Sequence, residues 1–159
     1  MQIQTDRLTI RPFTAGDIDS FMEYRNNEEW MRYQGFKGLD KKTYEAQLLQ
    51  PPEAEKGMQL AIAGRDTDGL IGDIYLKRFG AVYWLGYTIH PKYARQGYAA
   101  EAARGVIEWA RRGGAEKILA GVLPGNTASV RLLEKLDFRY MGEEEGERIY
   151  FLDLITNAQ

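Results

Sequence analysis

Residues 89–102, IHPKYARQGYAAEA, decide the fold because three kinds of local structure meet there. An apolar run ends at Pro91, a basic loop carries Gly97, and an alanine-rich stretch follows. Apolar residues then recur at helical spacing until Gly113 and Gly114 interrupt the pattern. The stretch therefore predicts a strand, a glycine loop and a long helix over 97–112, with an inward face formed by Ala99, Ala103, Val106, Ile107 and Ala110.

Upstream of this stretch, the spacing of apolar residues changes from helical to alternating. Residues 5–13 predict a strand with one solvent-exposed face, since Leu8 and Ile10 alternate with Thr9 and Arg11. Helix signals follow at Thr14, over 28–34 and after Asp40. Residues 58–63, 70–79 and 81–89 then predict three antiparallel strands, the first two joined by a turn at Asp68-Gly69.

Downstream, the pattern predicts a strand over 117–123, a helix over 127–136 and two closing strands over 137–142 and 148–155. A strand that follows a crossover helix lies parallel to the strand before it. The fold class is therefore α+β (α/β): a mixed, mostly antiparallel sheet with helices on both faces and one parallel strand pair.

Composition limits the classes of function. The chain has 159 residues, which predicts a single domain over 1–159, and its net charge of −2 gives no basic surface for nucleic acid. It has no cysteine and one histidine, so thiolate and two-histidine metal sites are excluded and we expect no metal. The polar start of the chain and the lack of an apolar run of roughly 20 residues predict a cytoplasmic protein without a membrane partner.

The loop before the long helix has the properties of an anion site. The first amides of a helix are unpaired, and the helix dipole adds about half a positive charge at that end. Gly97 allows a phosphate to approach the backbone, Arg95 adds a charge and Gln96 adds a donor. The alternative is that Gly97 only makes a tight turn. Neither a Walker loop nor a dinucleotide fingerprint is present.

Three motifs in the sequence resemble the GNAT superfamily of N-acetyltransferases. The segment ARQGYA at 94–99 resembles its acetyl-CoA motif, [Q/R]-x-x-G-x-[G/A]. The segments NTAS at 126–129 and LEKLDF at 133–138 are similar to its N-x-x-S…LEKxGF pattern. TDRLTIRPFTAGDIDSF at 5–21 is similar to the start of the Rim-type branch, which acetylates the N-termini of ribosomal proteins. The resemblance covers nearly the whole chain.

The resemblance implies a fold in which the two parallel strands splay apart and hold acetyl-CoA as the acyl donor. The pantetheine arm would pair with the backbone of Tyr87, Thr88 and Ile89, and with Asn126 across the gap. The CoA pyrophosphate would be bound by the amides of six consecutive residues, Arg95, Gln96, Gly97, Tyr98, Ala99 and Ala100.

The sequence departs from the family pattern at four positions. Ala94 stands where a glutamine or arginine opens the motif, so that side-chain contact is missing. Asp137 replaces a glycine, although aspartate tolerates a left-handed backbone better than most residues. Gly121 and Leu133 stand where one branch carries its catalytic glutamate and tyrosine, so that acid–base pair is not inherited.

The catalytic candidate is Ser129, placed to protonate the CoA thiolate because the Rim-type branch carries a serine there; the alternative is that it caps the helix end. An amide near Ile89 is the candidate oxyanion donor. Candidates for a base are Asp73 and the hairpin glutamates Glu143, Glu144, Glu145 and Glu147, and the acidic hairpin is also a candidate to attract a cationic amine. His90 is interpreted as structural. Candidate acceptor-pocket aromatics are Trp30, Tyr33, Phe36, Tyr83 and Trp84.

The favoured function is transfer of acetyl from acetyl-CoA to a primary amine, either a protein N-terminus or a small-molecule amine, by direct attack in a ternary complex. Two alternatives stay open: a CoA-binding module with weak or no catalysis, and an unrelated phosphate-binding protein that shares only the loop. The sequence identifies neither the amine acceptor nor the oligomeric state, and a homodimer is left open.

Overall fold

The architecture, taken from a computed structural model, is described for residues 1–155. Four α-helices occupy Ile18–Arg25 (α1), Lys41–Leu48 (α2), Tyr98–Arg112 (α3) and Thr127–Lys135 (α4). Eight strands occupy Ile3–Gln4 (β1), Leu8–Arg11 (β2), Met58–Gly64 (β3), Leu70–Phe79 (β4), Val82–Ile89 (β5), Lys117–Val122 (β6), Arg139–Glu144 (β7) and Glu147–Asp153 (β8). Short 3₁₀ turns precede α1, β3 and the loop before α3.

All eight strands join one sheet in the order β1-β2-β3-β4-β5-β6-β8-β7. Every neighbouring pair is antiparallel except β5 and β6, which run parallel across the α3 crossover. The predicted fold class is thus confirmed. Residues 156–159, which follow the predicted closing strand, lie outside the described part of the chain.

Helices cover both faces of the sheet because side chains alternate along each strand. On one face, Leu60 and Ile62 belong to the larger core cluster, together with the buried residues of α3 and Leu133 of α4. On the other face, Ala61 belongs to a second cluster with Phe21 of α1 and residues of α2. The strand before the β5–α3 loop and the helix after it both pack against the larger cluster, so the two ends of this loop are anchored on one core.

Two predictions about the N-terminal third of the chain are wrong. The face of β2 predicted to be exposed is buried, because Arg11 pairs with Asp17 just before α1 and with Asp68 in the β3–β4 turn, at 2.8 Å each. The predicted helix over 28–34 is instead a run of consecutive turns over 28–33. In that segment the Trp30 side chain bonds the carbonyl of Ile89, a tertiary contact that local pattern does not encode.

The other departures are small. Ala99, predicted inward on α3, is only partly buried and lines a cleft, whereas Ala100 and Ala102 are in the core. Asp137 adopts the left-handed backbone expected of it, with φ of 70°. Gly97 is the residue before α3 and also has a left-handed backbone, with φ of 81°.

Candidate active site

The parallel strands β5 and β6 separate halfway along their length. Their pairing runs from Val82 with Lys117 to Trp84 with Leu119, but β5 continues to Ile89 and β6 to Val122. The splay predicted between these strands is therefore present, and it opens a gap toward the C-terminal end of β5.

The backbone of β5 presents groups to this gap. The amide of His90 donates to Ile71 of β4 at 2.8 Å, and hydrogen-bonding groups alternate along an antiparallel strand. The amides of Tyr87 and Ile89 therefore point away from β4 and toward β6, whereas the backbone of Thr88 faces β4. Unpaired backbone groups in such a gap need partners, which an extended ligand with amides of its own supplies.

The N-terminus of α3 lies at the mouth of the gap. Gly97 gives no side-chain cap, so the first amides of the 15-residue helix are open to a ligand. Arg95 and Gly97 both have left-handed backbones, with φ of 62° and 81°, and these turn the chain sharply into the helix. A Cβ at Gly97 would come within 3.4 Å of the Arg7 guanidinium, so the loop is closely packed on that side.

Arg7, which the sequence did not single out as a site residue, supports this loop. Its Nη1 donates to the Gln96 carbonyl at 2.9 Å, its Nε donates to Glu101 at 2.6 Å, and its guanidinium lies 4.3 Å from the centre of the Tyr98 ring. Burial alone would raise the pKa of Glu101, but hydrogen bonds from Thr5 and Arg7 outweigh it and hold that pKa below its ordinary value. Glu101 thus stays charged and keeps Arg7 in place.

A cleft of about 570 Å³ extends from this loop into the gap. Most of the predicted donor-site residues line it: Tyr87, Thr88, Ile89, Arg95, Tyr98, Ala99, Asn126 and Ser129. Gln96 and Gly97 are exposed beside it, and the Ala100 side chain is buried in the core. Trp30 and Tyr33 line the opposite wall, where Trp30 Nε1 donates to Ile89 at 2.9 Å.

The start of α4 forms the far side of the cleft. Asn126 caps the helix, since its Oδ1 accepts from the Ser129 amide at 3.3 Å. The Ser129 hydroxyl lies 2.8 Å from the Tyr87 hydroxyl and is therefore not used as the cap. Burial raises the pKa of Tyr87 to about 12, with the hydrogen bond to Ser129 acting in the opposite direction.

A second cavity of about 970 Å³ adjoins the cleft. Its walls come from the segments 34–36, 46–59, 73–75 and 86–88, including Phe36, Met58 and Tyr75. The two cavities share Gln34, Tyr87 and Thr88 as lining residues. A group bound at the end of the cleft would thus meet a second ligand at these residues.

A buried ion pair lies beside the second cavity. Arg25 Nη2 donates to Asp73 Oδ1 at 2.6 Å, and the carboxylate also accepts from Tyr24 and from Gln59. Burial alone would lower the pKa of Arg25, but the Asp73 charge raises it above its ordinary value. Arg25 also donates to Thr88 and to the Gly35 carbonyl, so the pair connects α1, β4, β5 and the loop before α2.

The remaining sequence candidates either lie away from the two cavities or contact neighbouring side chains. His90 contacts Glu23 at 3.1 Å and packs against Tyr24 and Tyr93. Neither cavity is lined by the hairpin glutamates Glu143, Glu144, Glu145 and Glu147, nor by Tyr83 and Trp84. Gly121 and Leu133 carry no acid–base group. A Cβ at Gly121 would meet the Glu147 carboxylate at 2.9 Å, and Leu133 is fully buried.

Comparison with known proteins decides the family. The family model described as "Acetyltransferase (GNAT) domain" matches residues 7–139. The chain belongs to the GNAT acetyltransferases. It is 32% identical over 148 residues to the uncharacterized N-acetyltransferase YnaD of Bacillus subtilis (strain 168), a match covering 89% of this chain and 85% of the relative. The predicted GNAT resemblance and the assignment as an acyltransferase are confirmed.

Solved structures agree with this GNAT assignment. The crystal structure of a GNAT-family acetyltransferase from Bacillus anthracis superposes with a TM-score of 0.86 at 25% identity, covering 98% of this chain and 100% of that chain. The ribosomal-protein-S5-alanine acetyltransferase from Vibrio fischeri superposes with a TM-score of 0.79 at 18% identity, covering 98% and 97% of the chains. The second likeness shows the fold alone. Within residues 1–155, no helix of this GNAT protein is long and apolar enough to cross a membrane.

Proposed function

We propose that the protein transfers the acetyl group of acetyl-CoA to a primary amine, of a protein N-terminus or a small molecule, by direct attack in a ternary complex. The observation that carries this proposal is the meeting of two cavities at Tyr87 and Thr88, one of which ends at an open helix N-terminus. Residues 1–159 would form one domain for this reaction.

The cleft fits the two chemical parts of CoA. A pyrophosphate would bind the amides of residues 95–100 at the positive end of α3, where Arg95 adds a charge. The pantetheine amides would pair with the gap-facing backbone of Tyr87 and Ile89. The Nδ2 amide of Asn126 is left to donate to the same arm, because its Oδ1 already accepts from Ser129. No contact with Ala94 is needed in this arrangement.

The second cavity would hold the amine acceptor. Its lining has equal numbers of positively and negatively charged residues, since Arg25 pairs with Asp73 and Lys56 lies 3.0 Å from Glu53. The uncharged polar lining is rich in side-chain amides, from Gln34, Gln47, Gln50 and Gln59. Such a surface offers both donors and acceptors but no excess negative charge. It suits an acceptor with a single amine better than a polyamine with several positive charges.

The chemistry needs little beyond placement. An N-terminal amine has a pKa near 8, so a useful fraction is neutral at physiological pH, and orienting the two reactants contributes several kcal/mol by itself. Ser129 would donate a proton to the departing thiolate. The Ile89 amide, which faces the gap, would donate to the carbonyl oxygen as negative charge develops there.

Release of free thiol from acetyl-CoA tests the proposal directly. The panel contains short peptides with free N-termini, small monoamines and spermidine. We expect turnover above the enzyme-free rate with at least one monoamine or peptide, and a weaker rate with spermidine. No turnover with any acceptor would contradict acetyl transfer to an amine.

Binding of CoA is tested separately by thermal unfolding. A ligand at 100 times its dissociation constant adds about 2.7 kcal/mol to the free energy of unfolding. Saturating CoA should therefore raise the melting temperature by several degrees. An unchanged melting temperature at saturating CoA would show that the cleft is not a CoA site.

Ser129→Ala tests the proton donor. The variant should lose turnover while its affinity for CoA changes little, because the cap of α4 is made by Asn126. Ser20→Ala is the matched control, since it removes a hydroxyl from α1 at a residue that lines neither cavity. Equal turnover in the wild-type protein and Ser129→Ala would leave Ser129 without a catalytic role.

A further inference from the structure

Two hydroxyl groups connect the donor cleft to the acceptor cavity. The Tyr87 hydroxyl lies 2.8 Å from the Ser129 hydroxyl, and either atom can be the donor. Tyr87 lines both cavities, whereas Ser129 lines the donor cleft. The pair therefore lies beside the junction of the two cavities, where an amine and the CoA sulfur would meet.

The phenol beside Ser129 comes from strand β5 and not from helix α4. Ser129 and Leu133 lie one helical turn apart on the same face of α4. Leu133 is fully buried in the core and carries no polar group. A phenol reaches this face of α4 from the neighbouring strand β5 instead, at Tyr87.

We propose that Tyr87 and Ser129 form a two-hydroxyl proton wire that carries the proton of the attacking amine to the departing CoA sulfur. This inference rests on the proposed function, because it requires an acetyl thioester in the cleft and an amine in the second cavity. It assigns a role to the Tyr87 side chain in addition to the backbone role of the same residue.

The proton balance of the wire is complete without an external acid or base. When the neutral amine attacks, the C–N bond forms, the C–S bond breaks, the nitrogen must lose one proton and the sulfur must gain one. Tyr87 accepts the nitrogen's proton as its own passes to Ser129, and the Ser129 proton passes to the sulfur. Each hydroxyl ends the step with one proton, so no phenolate or alkoxide remains.

The surroundings of Tyr87 suit this exchange. Burial raises the pKa of its phenol to about 12, so the group is protonated across the working pH range and both links of the wire carry a proton. Asp73, a carboxylate of β4 that lines the acceptor cavity, is bound by Arg25, Tyr24 and Gln59. Thr88 lines both cavities as well, but its hydroxyl accepts from Arg25, whereas the Tyr87 hydroxyl bonds Ser129.

The main test compares Tyr87→Phe with the wild-type protein. The substitution removes one oxygen and leaves the ring packing and the β5 backbone in place. We expect kcat to fall roughly a hundredfold, the lower end of the range for a positioned proton-transfer group, while CoA affinity changes less than about twofold. Tyr83→Phe is the matched control: it lies on the same face of β5, packs against Trp109 and lines neither cavity.

Coupling between the two hydroxyls separates a wire from two independent groups. Tyr87→Phe combined with Ser129→Ala should be no slower than the slower single variant, since either substitution breaks the same path. The solvent isotope effect of the wild-type protein should reflect more than one proton in transit and should shrink in both single variants. Multiplicative losses in the double variant would overturn the wire.

The outcomes distinguish this inference from the proposed function. If the wild-type protein turns over and Tyr87→Phe keeps its kcat, the wire is wrong and acetyl transfer stands. If Tyr87→Phe loses CoA affinity and turnover in the same proportion, the phenol is a binding group and the wire is again wrong. If Tyr87→Phe fails to fold, an unchanged isotope effect in Ser129→Ala overturns the wire. No turnover by the wild-type protein overturns both proposals.

Discussion

Arg7 donates a hydrogen bond to the Gln96 carbonyl at 2.9 Å, so the turn between β1 and β2 is tied to the loop before α3. The two residues are 89 positions apart in sequence. Glu101, one turn into α3, accepts from the backbone and side chain of the same arginine. The N-terminal turn therefore sets the shape of the loop that would hold the CoA pyrophosphate.

Arg7→Ala should weaken CoA binding because the loop loses its fixed shape and one nearby positive charge. We expect the dissociation constant to rise about tenfold, which corresponds to about 1.4 kcal/mol. Isothermal titration with CoA measures the change. Arg111→Ala is the control, because it removes the same charge from the other end of α3, where Arg111 pairs with Glu108. Equal losses in both variants would mean that only net charge matters.

Gly97→Trp should abolish CoA binding while the protein stays folded. The residue has φ of 81° and stands before the open amides of α3, and a Cβ there comes within 3.4 Å of the Arg7 guanidinium, so a large side chain would displace the support of this loop and crowd the amides. Gly114→Trp is the matched control, since its φ is 93° and a Cβ there meets nothing within 4 Å. Both variants carry backbone strain of roughly 1–2 kcal/mol, but only Gly97→Trp should lose CoA-dependent thermal stabilisation. Retained binding in Gly97→Trp would show that the pyrophosphate binds elsewhere.

The pH dependence of kcat/KM should follow the acceptor rather than the protein. The carboxylates lining the acceptor cavity are Asp73 and Glu53, each within 3.0 Å of a cation, and the pKa of Tyr87 is about 12. For an N-terminal amine, kcat/KM should rise with pH and level off near pH 8; for a lysine-like amine it should rise to about pH 10. The same inflection with both acceptors would reveal a titrating base on the protein.

Asp17→Asn should destabilise the protein at neutral pH and much less in acid. Burial alone would raise the pKa of Asp17, but Arg11 and Thr14 outweigh it and hold the pKa below its ordinary 3.8. A lowered pKa means that the charged form contributes stability above about pH 4 and that this contribution is lost as pH falls below it.

Urea unfolding of both proteins near pH 7 and near pH 3 measures the effect, and we expect a loss of about 1 to 3 kcal/mol only at the higher pH. Asp19→Asn serves as the control, since Asp19 is exposed and should change stability by less than about 0.5 kcal/mol. A pH-independent difference for Asp17→Asn would show that shape, not charge, matters at this position.

Local pattern in the sequence predicts the elements that position the site. The strand ending before Pro91, the turn at Gly97 and the alanine-rich helix follow from residue type and spacing over short distances, and they fix where the open amides lie. The parallel pair follows from the crossover helix. These features are predictable because each depends on neighbours within one or two helical turns.

Contacts between distant elements were not predictable from one sequence. Asp73 faces Thr88 across β4 and β5, and this register brings Arg25 of α1 to both residues. An isolated aspartate in a strand is equally compatible with a catalytic base and with half of a buried pair. The burial of Arg11 is unpredictable for the same reason: its partners, Asp17 and Asp68, come from the turn before α1 and from the β3–β4 turn.

If the two cavities bind the donor and the acceptor as proposed, their separation allows the two specificities to diverge independently. The acceptor cavity draws largely on residues 46–59, whereas the donor cleft draws on 93–99 and 125–132. A lineage could replace the first segment, and with it the amine selected, while inheriting the thioester site unchanged. Gln34, Tyr87 and Thr88 belong to both, so substitutions at these three positions would change both specificities at once and should be the most constrained in natural variation.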